Sequence, residues 1–235
     1  MFYIIEKSSQ LQQLEFEDCF VRFIPFNNNF HPALIELSLV YVRPLDGKKG
    51  YILCINHNES LSLSKDEVFD WLDTHTENLW LLDKKEALHW YYHPDKLFDA
   101  NLLELVDLTT VLDNACISYY YSKHNALPNV NCLIPISKHY EICEAIFNMV
   151  LPITKQYTLA NEAFQFQNFR TADTFYHIEK NGIKVDKKCF IEHYREKLIH
   201  PEFNLKRGKI YTQYNLYTTT SRPSNTFNGT NFAAL

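Results

Sequence analysis

The chain reads as an α/β protein: a mixed sheet flanked by helices, followed by a helical segment and a short β-hairpin. Three observations predict this. Short β-branched and aromatic runs, separated by turn residues, fill residues 1–55. Strand and helix patterns then alternate to about residue 100. Helical periodicity dominates from Asn101 until tyrosine-rich polar runs return near the C-terminus.

Taken in order, Phe2-Tyr3-Ile4-Ile5 is a short apolar strand, and Ser8 is the candidate N-cap of a short helix through Leu14. Cys19–Phe26 is a strand, stopped by Pro25 and the Asn27-Asn28-Asn29 turn. Leu34–Val42 is the clearest strand, and Asp46-Gly47 signals the hairpin that returns through Tyr51–Ile55. Ser64-Lys65-Asp66-Glu67 is a capping box opening a helix that carries Val68, Phe69, Trp71 and Leu72. Leu79–Leu82 is a strand, Asp83–Tyr92 a short helix capped by Asp83, and Lys96-Leu97-Phe98 the last short strand of this part. A three-strand meander followed by strand–helix alternation is the order of a ribonuclease H-like sheet. Helices follow at about 138–150 and 157–181. The second carries Leu159, Ala163, Phe166, Phe169 and Ala172 at three- and four-residue spacing and ends at Asn181-Gly182.

Composition narrows the class. Hydrophobic residues make up 46% and aromatics 15%, with only 5 Gly, so a packed core is available and low complexity is excluded. No apolar run reaches the roughly 18 residues a membrane span needs, and no signal peptide is evident. The expectation is a soluble protein with no membrane partner, cytoplasmic or acting in a host cytoplasm if viral. Six scattered cysteines without a C-x-x-C pair read as reduced thiols. The net charge is −5, yet residues 180–222 carry ten Lys/Arg against four Asp/Glu, a basic segment beside an acidic body. Such a segment is where a polyanion would sit.

Two C-terminal stretches carry a family resemblance. Phe175-Tyr176-His177-Ile178-Glu179-Lys180-Asn181-Gly182-Ile183-Lys184-Val185-Asp186 resembles the turn that precedes the thumb region of family A DNA polymerases. Tyr214-Asn215-Leu216-Tyr217-Thr218-Thr219-Thr220-Ser221-Arg222-Pro223-Ser224-Asn225 resembles the T-x-[GS]-R-x-S element that opens their palm, in a style similar to compact phage enzymes. Ser221 replaces the usual Gly. The resemblance implies a 3′→5′ exonuclease-like domain over residues 1–155, then a linker helix and the start of the polymerase module over 156–235. It also implies a truncated fragment, since the chain stops at Leu235 before the polymerase carboxylates. The implied partners are a primer–template DNA, bound weakly, and the remainder of the polymerase.

Two-metal phosphodiester hydrolysis needs several converging carboxylates. The family supplies D-x-E on the first core strand, an Asp at the H-N-x-x-x-D helix start and a final Asp in Y-x-x-x-D. Here those positions align with Arg22 and Ile24, with Ala87, and with Lys138. Cations there would repel divalent metal, so no catalytic residue and no cofactor is expected; a divalent ion would belong only to an intact exonuclease or polymerase site. An active exonuclease with rearranged ligands, and a stand-alone DNA-binding or partner-docking module, are the alternatives.

The resemblance implies that Arg222 contacts the primer–template duplex, supported by Thr220, Ser224 and Asn225. Short polar side chains and arginine suit phosphate, sugar and groove acceptors. Lys206, Arg207 and Lys209 read as phosphate-facing charges, and Tyr211, Tyr214 and Tyr217 as packing in a hairpin. His89 and His93 stand four apart but lack a third ligand, so they read as packed or surface rings. Asp66, Glu67, Asp70 and Asp73 read as a solvated helix face. No phosphate-binding Gly-rich loop is present.

Overall fold

The structure, a computed structural model, describes residues 3–26, 31–60, 63–103, 134–156, 162–194, 205–216 and 224–226. Six strands form one mixed sheet: β1 (Tyr3–Ile5), β2 (Asp18–Pro25), β3 (Leu37–Pro44), β4 (Tyr51–Cys54), β5 (Asn78–Leu81) and β6 (Leu97–Asp99), in the order β1-β4-β3-β2-β5-β6. The β2-β3-β4 meander is antiparallel, while β5 adds parallel to β2 and β6 parallel to β5. β1 lies parallel to β4 at the far edge. This is the ribonuclease H-like sheet the sequence predicts.

Side chains alternate across β2. Cys19, Val21 and Phe23 enter a cluster with Val68, Trp71 and Leu72 of α2 (Lys65–His75) and Ala87 and Leu88 of α3 (Lys84–Trp90). Phe20 and Ile24 enter a second cluster with Ile142, Ile146, Phe147 and Val150 of α4 (Ile136–Gln156). Arg22 belongs to that second face by the same alternation. Buried aromatic and aliphatic groups of this size each contribute about 1.5–3 kcal/mol by leaving water. Helix starts follow local chemistry: Ser64 and Glu67 form the reciprocal capping box, and the Asp83 carboxylate accepts the Glu86 N–H at 2.9 Å.

Three expectations need correction. Ser8 is not an N-cap: α1 (Ser8–Leu11) is a single turn preceded by Lys7, and the Ser8 hydroxyl donates to Glu67 at 2.5 Å. The third strand starts at Leu37 rather than Leu34, because Pro32–Leu34 closes a 3-10 turn in which His31 Nδ1 accepts the Ala33 N–H. The helical pattern after residue 157 is not continuous. α5 (Glu162–Phe166) passes through a π-helical turn at Gln167–Thr171 into α6 (Ala172–Asn181). The wider turn shifts the inward face: Phe164, Asn168, Ala172 and Tyr176 are buried, and Phe166 is 59% exposed. Leu159 lies outside the described residues.

Gly182 ends α6 with φ +61°, the left-handed conformation that makes glycine the natural residue there. Beyond it come β7 (Ile183–Lys184), α7 (Lys187–Tyr194), β8 (Leu205–Lys206), β9 (Lys209–Ile210), β10 (Gln213–Asn215) and β11 (Ser224–Thr226). β7, β9 and β8 form a small sheet, and β10 pairs antiparallel with β11. Cys19, Cys54 and Cys143 are buried free thiols and Cys189 an exposed one. Among the described residues no helix is long and apolar enough to cross a membrane.

Candidate functional site

Two of the polar clusters that interrupt the apolar packing among the described residues bear on the site. The first lies on the α4 face of β2 and β3, where the Arg22 guanidinium lies near the Cys143 thiol. Burial pushes that thiol up to about 11, and the guanidinium only partly opposes it. Phe20 pairs with Arg43 and Arg22 with Tyr41 across the β2–β3 ladder, so these four side chains share one face. Arg43 lies over the Phe147 ring at 4.9 Å and approaches Glu144 at 3.5 Å. Glu144 accepts the Tyr41 hydroxyl at 2.7 Å. Burial and that bond keep Tyr41 protonated far above its ordinary range. Gly50 makes the arrangement possible: a Cβ there would fall 2.4 Å from Glu144 Oε1 and 2.7 Å from the Tyr41 ring.

Of the positions aligned with nuclease carboxylates, β2 brings Arg22 and Ile24 onto this face. Ala87 packs instead in the cluster on the other face of the sheet. α3 turns the neighbouring Glu86 within electrostatic reach of Arg22. Burial, then repulsion from Asp83, pushes the Glu86 carboxyl up to about 7 against the pull of Lys85 and Arg22. Lys138 is half-buried and pairs with Glu141 at 2.6 Å. The cation accompanying Arg22 on this face is thus Arg43, not Lys138.

The second cluster surrounds Glu179 of α6, whose carboxylate is fully buried. Lys85 Nζ donates to Oε1 at 2.6 Å, His89 Nε2 meets Oε2 at 3.0 Å, and the Tyr214 backbone N–H donates to Oε1 at 2.6 Å. Burial works against the Lys85 ammonium, but Asp83 and Glu179 outweigh it and raise its pKa. His31 stacks edge-on to His89 with centroids 4.8 Å apart and lies 5.3 Å from the Tyr211 ring. Burial, then His89 and Lys85, lowers His31 to about 2, so it stays neutral.

Among the described residues one group of potential metal ligands converges: His31, His89 and Glu179, with ligand atoms within 4.8 Å. Its chemistry does not fit a divalent ion. The Lys85 ammonium already satisfies the carboxylate. His31 Nδ1 accepts from Ala33 N–H at 3.1 Å, so the neutral ring carries its proton on Nε2 and offers no lone pair there. His93 diverges from His89, meeting Asp73 at 3.2 Å.

Of the residues expected to touch DNA, Thr220 and Arg222 lie outside the described residues. Ser224 and Asn225 lie on β11, opposite Asn215 and Tyr214 of β10. Lys206 Nζ donates to the Ala33 carbonyl and Lys209 Nζ to the Asn181 carbonyl, each at 2.8 Å. Arg207 is exposed at a turn, with φ 54°. Tyr211 and Tyr214 pack against His31 and Phe175, consistent with packing in the hairpin region; Tyr217 lies outside the described residues. Sequence reasoning missed Glu86, Arg43, Glu144 and Lys85 as site members. An off-by-one shift at Ala87 was the available signal for Glu86; the others needed contacts distant in sequence.

No family model matches the chain, and no curated protein matches it by sequence. Solved structures do. The POL domain of Pol1 from M. smegmatis, in complex with DNA primer-template and dNTP, is similar with TM-score 0.57 at 12% identity, over 98% of this chain and 55% of that one. The RNase D of Trypanosoma brucei, in a GMP complex, is similar with TM-score 0.48 at 13% identity, over 75% and 64%. Escherichia coli RNase D, an exoribonuclease involved in structured RNA processing, gives 0.44 at 12%, over 87% and 53%. The chain spans between about half and two-thirds of the length of these proteins. The likeness to the POL domain is one of fold.

Proposed function

We propose that this chain is a polymerase-associated exonuclease-like domain without hydrolytic activity, whose role is to position DNA beside a family A polymerase module in replication. One observation carries the reading: Arg22, a permanently charged guanidinium, stands on the central strand where the family resemblance asks for a carboxylate. Two divalent ions a few ångström apart need converging anionic oxygens, and a fixed cation among them opposes both. Glu144, the acidic residue on α4 beside Cys143, is engaged by Tyr41 and Arg43.

Support for the DNA role comes from the basic balance of residues 180–222 and from the likeness in fold to a polymerase domain that was solved with a primer-template. In this reading Arg222, Thr220, Ser224 and Asn225 contact the duplex, and Arg207, Lys206 and Lys209 supply the surrounding positive field. Incubation of the purified chain with a labelled single-stranded oligonucleotide, in magnesium, manganese or chelator, tests the proposal. No metal-dependent shortening is expected. Shortening that chelator abolishes and that copurifies with the chain would favour an active exonuclease with ligands drawn from elsewhere, Glu86 first among them.

A further inference from the structure

We infer that Glu179 is a positioning residue: its buried carboxylate mounts the β10–β11 hairpin on helix α3 of the exonuclease-like sheet, and so sets where Ser224 and Asn225 meet DNA. The inference rests on the DNA reading given above. It adds the device through which a domain without metal chemistry acts on a contact made by another part of the chain.

The geometry runs in one line. Lys85 and His89 stand one turn apart on α3, and both reach Glu179 of α6. Glu179 accepts the Tyr214 N–H with the same oxygen that Lys85 grips. The Tyr214 ring meets Phe175, also on α6, with centroids 5.4 Å apart. Main chain and side chain of one β10 residue are therefore both fixed on α6. Tyr214 is directly opposite Asn225, and Asn215 opposite Ser224. A ribbon of two three-residue strands is marginal by itself, so its placement depends on such anchors. A charge-assisted acceptor held by a buried ammonium is a strong one.

The experiment uses the full chain and two double variants that both remove the buried ion pair. Lys85→Met with Glu179→Gln keeps an oxygen for the Tyr214 N–H; Lys85→Met with Glu179→Leu does not. Replacing both charges avoids leaving one unpaired. Amide hydrogen exchange at Tyr214 is read without DNA, with the Ile210 amide as internal control. Binding of a fluorescein-labelled primer–template duplex is read by anisotropy at low salt.

The Gln variant is expected to keep Tyr214 protection and duplex affinity within about threefold of wild type. The Leu variant should lose about tenfold in Tyr214 protection and about fivefold or more in affinity, as the loss of the acceptor for one hydrogen bond requires. The two should share similar denaturation midpoints. A Leu variant that binds the duplex like wild type, or whose Tyr214 amide stays protected, overturns the inference. A wild-type chain that binds no duplex overturns the DNA reading instead. The DNA-free exchange measurement tells that failure apart, because it reports the Glu179 anchor directly.

Discussion

The Arg22 face and the Glu179 cluster are both polar interruptions of an apolar core, and α3 contributes to each. They are built on opposite terms. Glu179 is a carboxylate whose oxygens are met by an ammonium, an imidazole and an amide. The Arg22 face gathers two guanidiniums, a thiol with a raised pKa, a protonated phenol and one carboxylate already in use. A buried charge survives when its complement is built around it. The comparison teaches that the Glu179 cluster spends its complementary polar groups on joining segments distant in the chain.

The comparison breaks most readily at Lys85. Lys85→Met alone leaves the Glu179 carboxylate buried without its ammonium, and a loss of about 3–5 kcal/mol in denaturant unfolding is expected. A loss under about 1 kcal/mol would mean that water or another cation reaches Glu179, and the contrast between the two clusters would collapse.

Glu86 gives the next largest effect, and its sign depends on pH. Its folded value of about 7 lies above the ordinary 4.5, so the folded chain keeps a proton that the unfolded chain releases between those values. Stability is therefore lost as pH rises through that window. Glu86→Gln should be more stable than wild type at pH 8 by about 2 kcal/mol, with the gain vanishing below about pH 4.5. His31 acts the other way. Its folded value of about 2 lies below the ordinary 6.5, so the unfolded chain takes up a proton that the folded chain refuses, and acidification costs stability. The Gln variant should therefore show a steeper rise in stability from pH 4.5 to 6.5 than wild type. A pH-independent difference between the two proteins would refute the Glu86 assignment.

The smallest effect sharpens the Arg22 face. Arg22→Met removes a partly exposed cation and should change stability by less than about 1 kcal/mol. It also removes a charge that draws the Glu86 carboxyl down, so the Glu86 titration followed by NMR should move further up. A downward move would show that Arg22 and Glu86 do not sense each other.

Much of the fold was legible because its signals are local. The Ser64–Glu67 capping box, Asp83 before α3, Gly182 after α6 and the β2-β3-β4 meander each need only a few adjacent residues to be read. The failures have physical causes. Ser8 looks like a cap, but its hydroxyl serves a residue 59 positions away. Phe166 fits a regular helical stripe, but a π turn begins immediately after it. Ala87 is one residue from the acidic group that approaches Arg22, a difference that a short helix after a strand leaves open. The placement of Arg22 and Ile24 on one face was legible because the central strand is unmistakable. The Glu179 cluster was not, since its partners come from positions 85, 89 and 214 and share no pattern along the chain.

The π turn has a further consequence through Asn168, which is fully buried. Among the described residues β6 is the last strand of its sheet, with backbone groups that no further described strand satisfies. The Asn168 carboxamide accepts from the Asp99 N–H at 2.9 Å and donates to the Leu97 carbonyl at 3.0 Å. A single side-chain amide thus imitates the peptide of a neighbouring strand and seals that stretch of the border. The same amide fixes the rotational phase of the helix that continues to Glu179. Removing one residue from the turn would advance everything beyond it by about 100°. Glu179 would then swing away from Lys85 while the sheet stayed intact, so the spacing of this turn, as much as any charge, decides whether the two halves of the chain mesh.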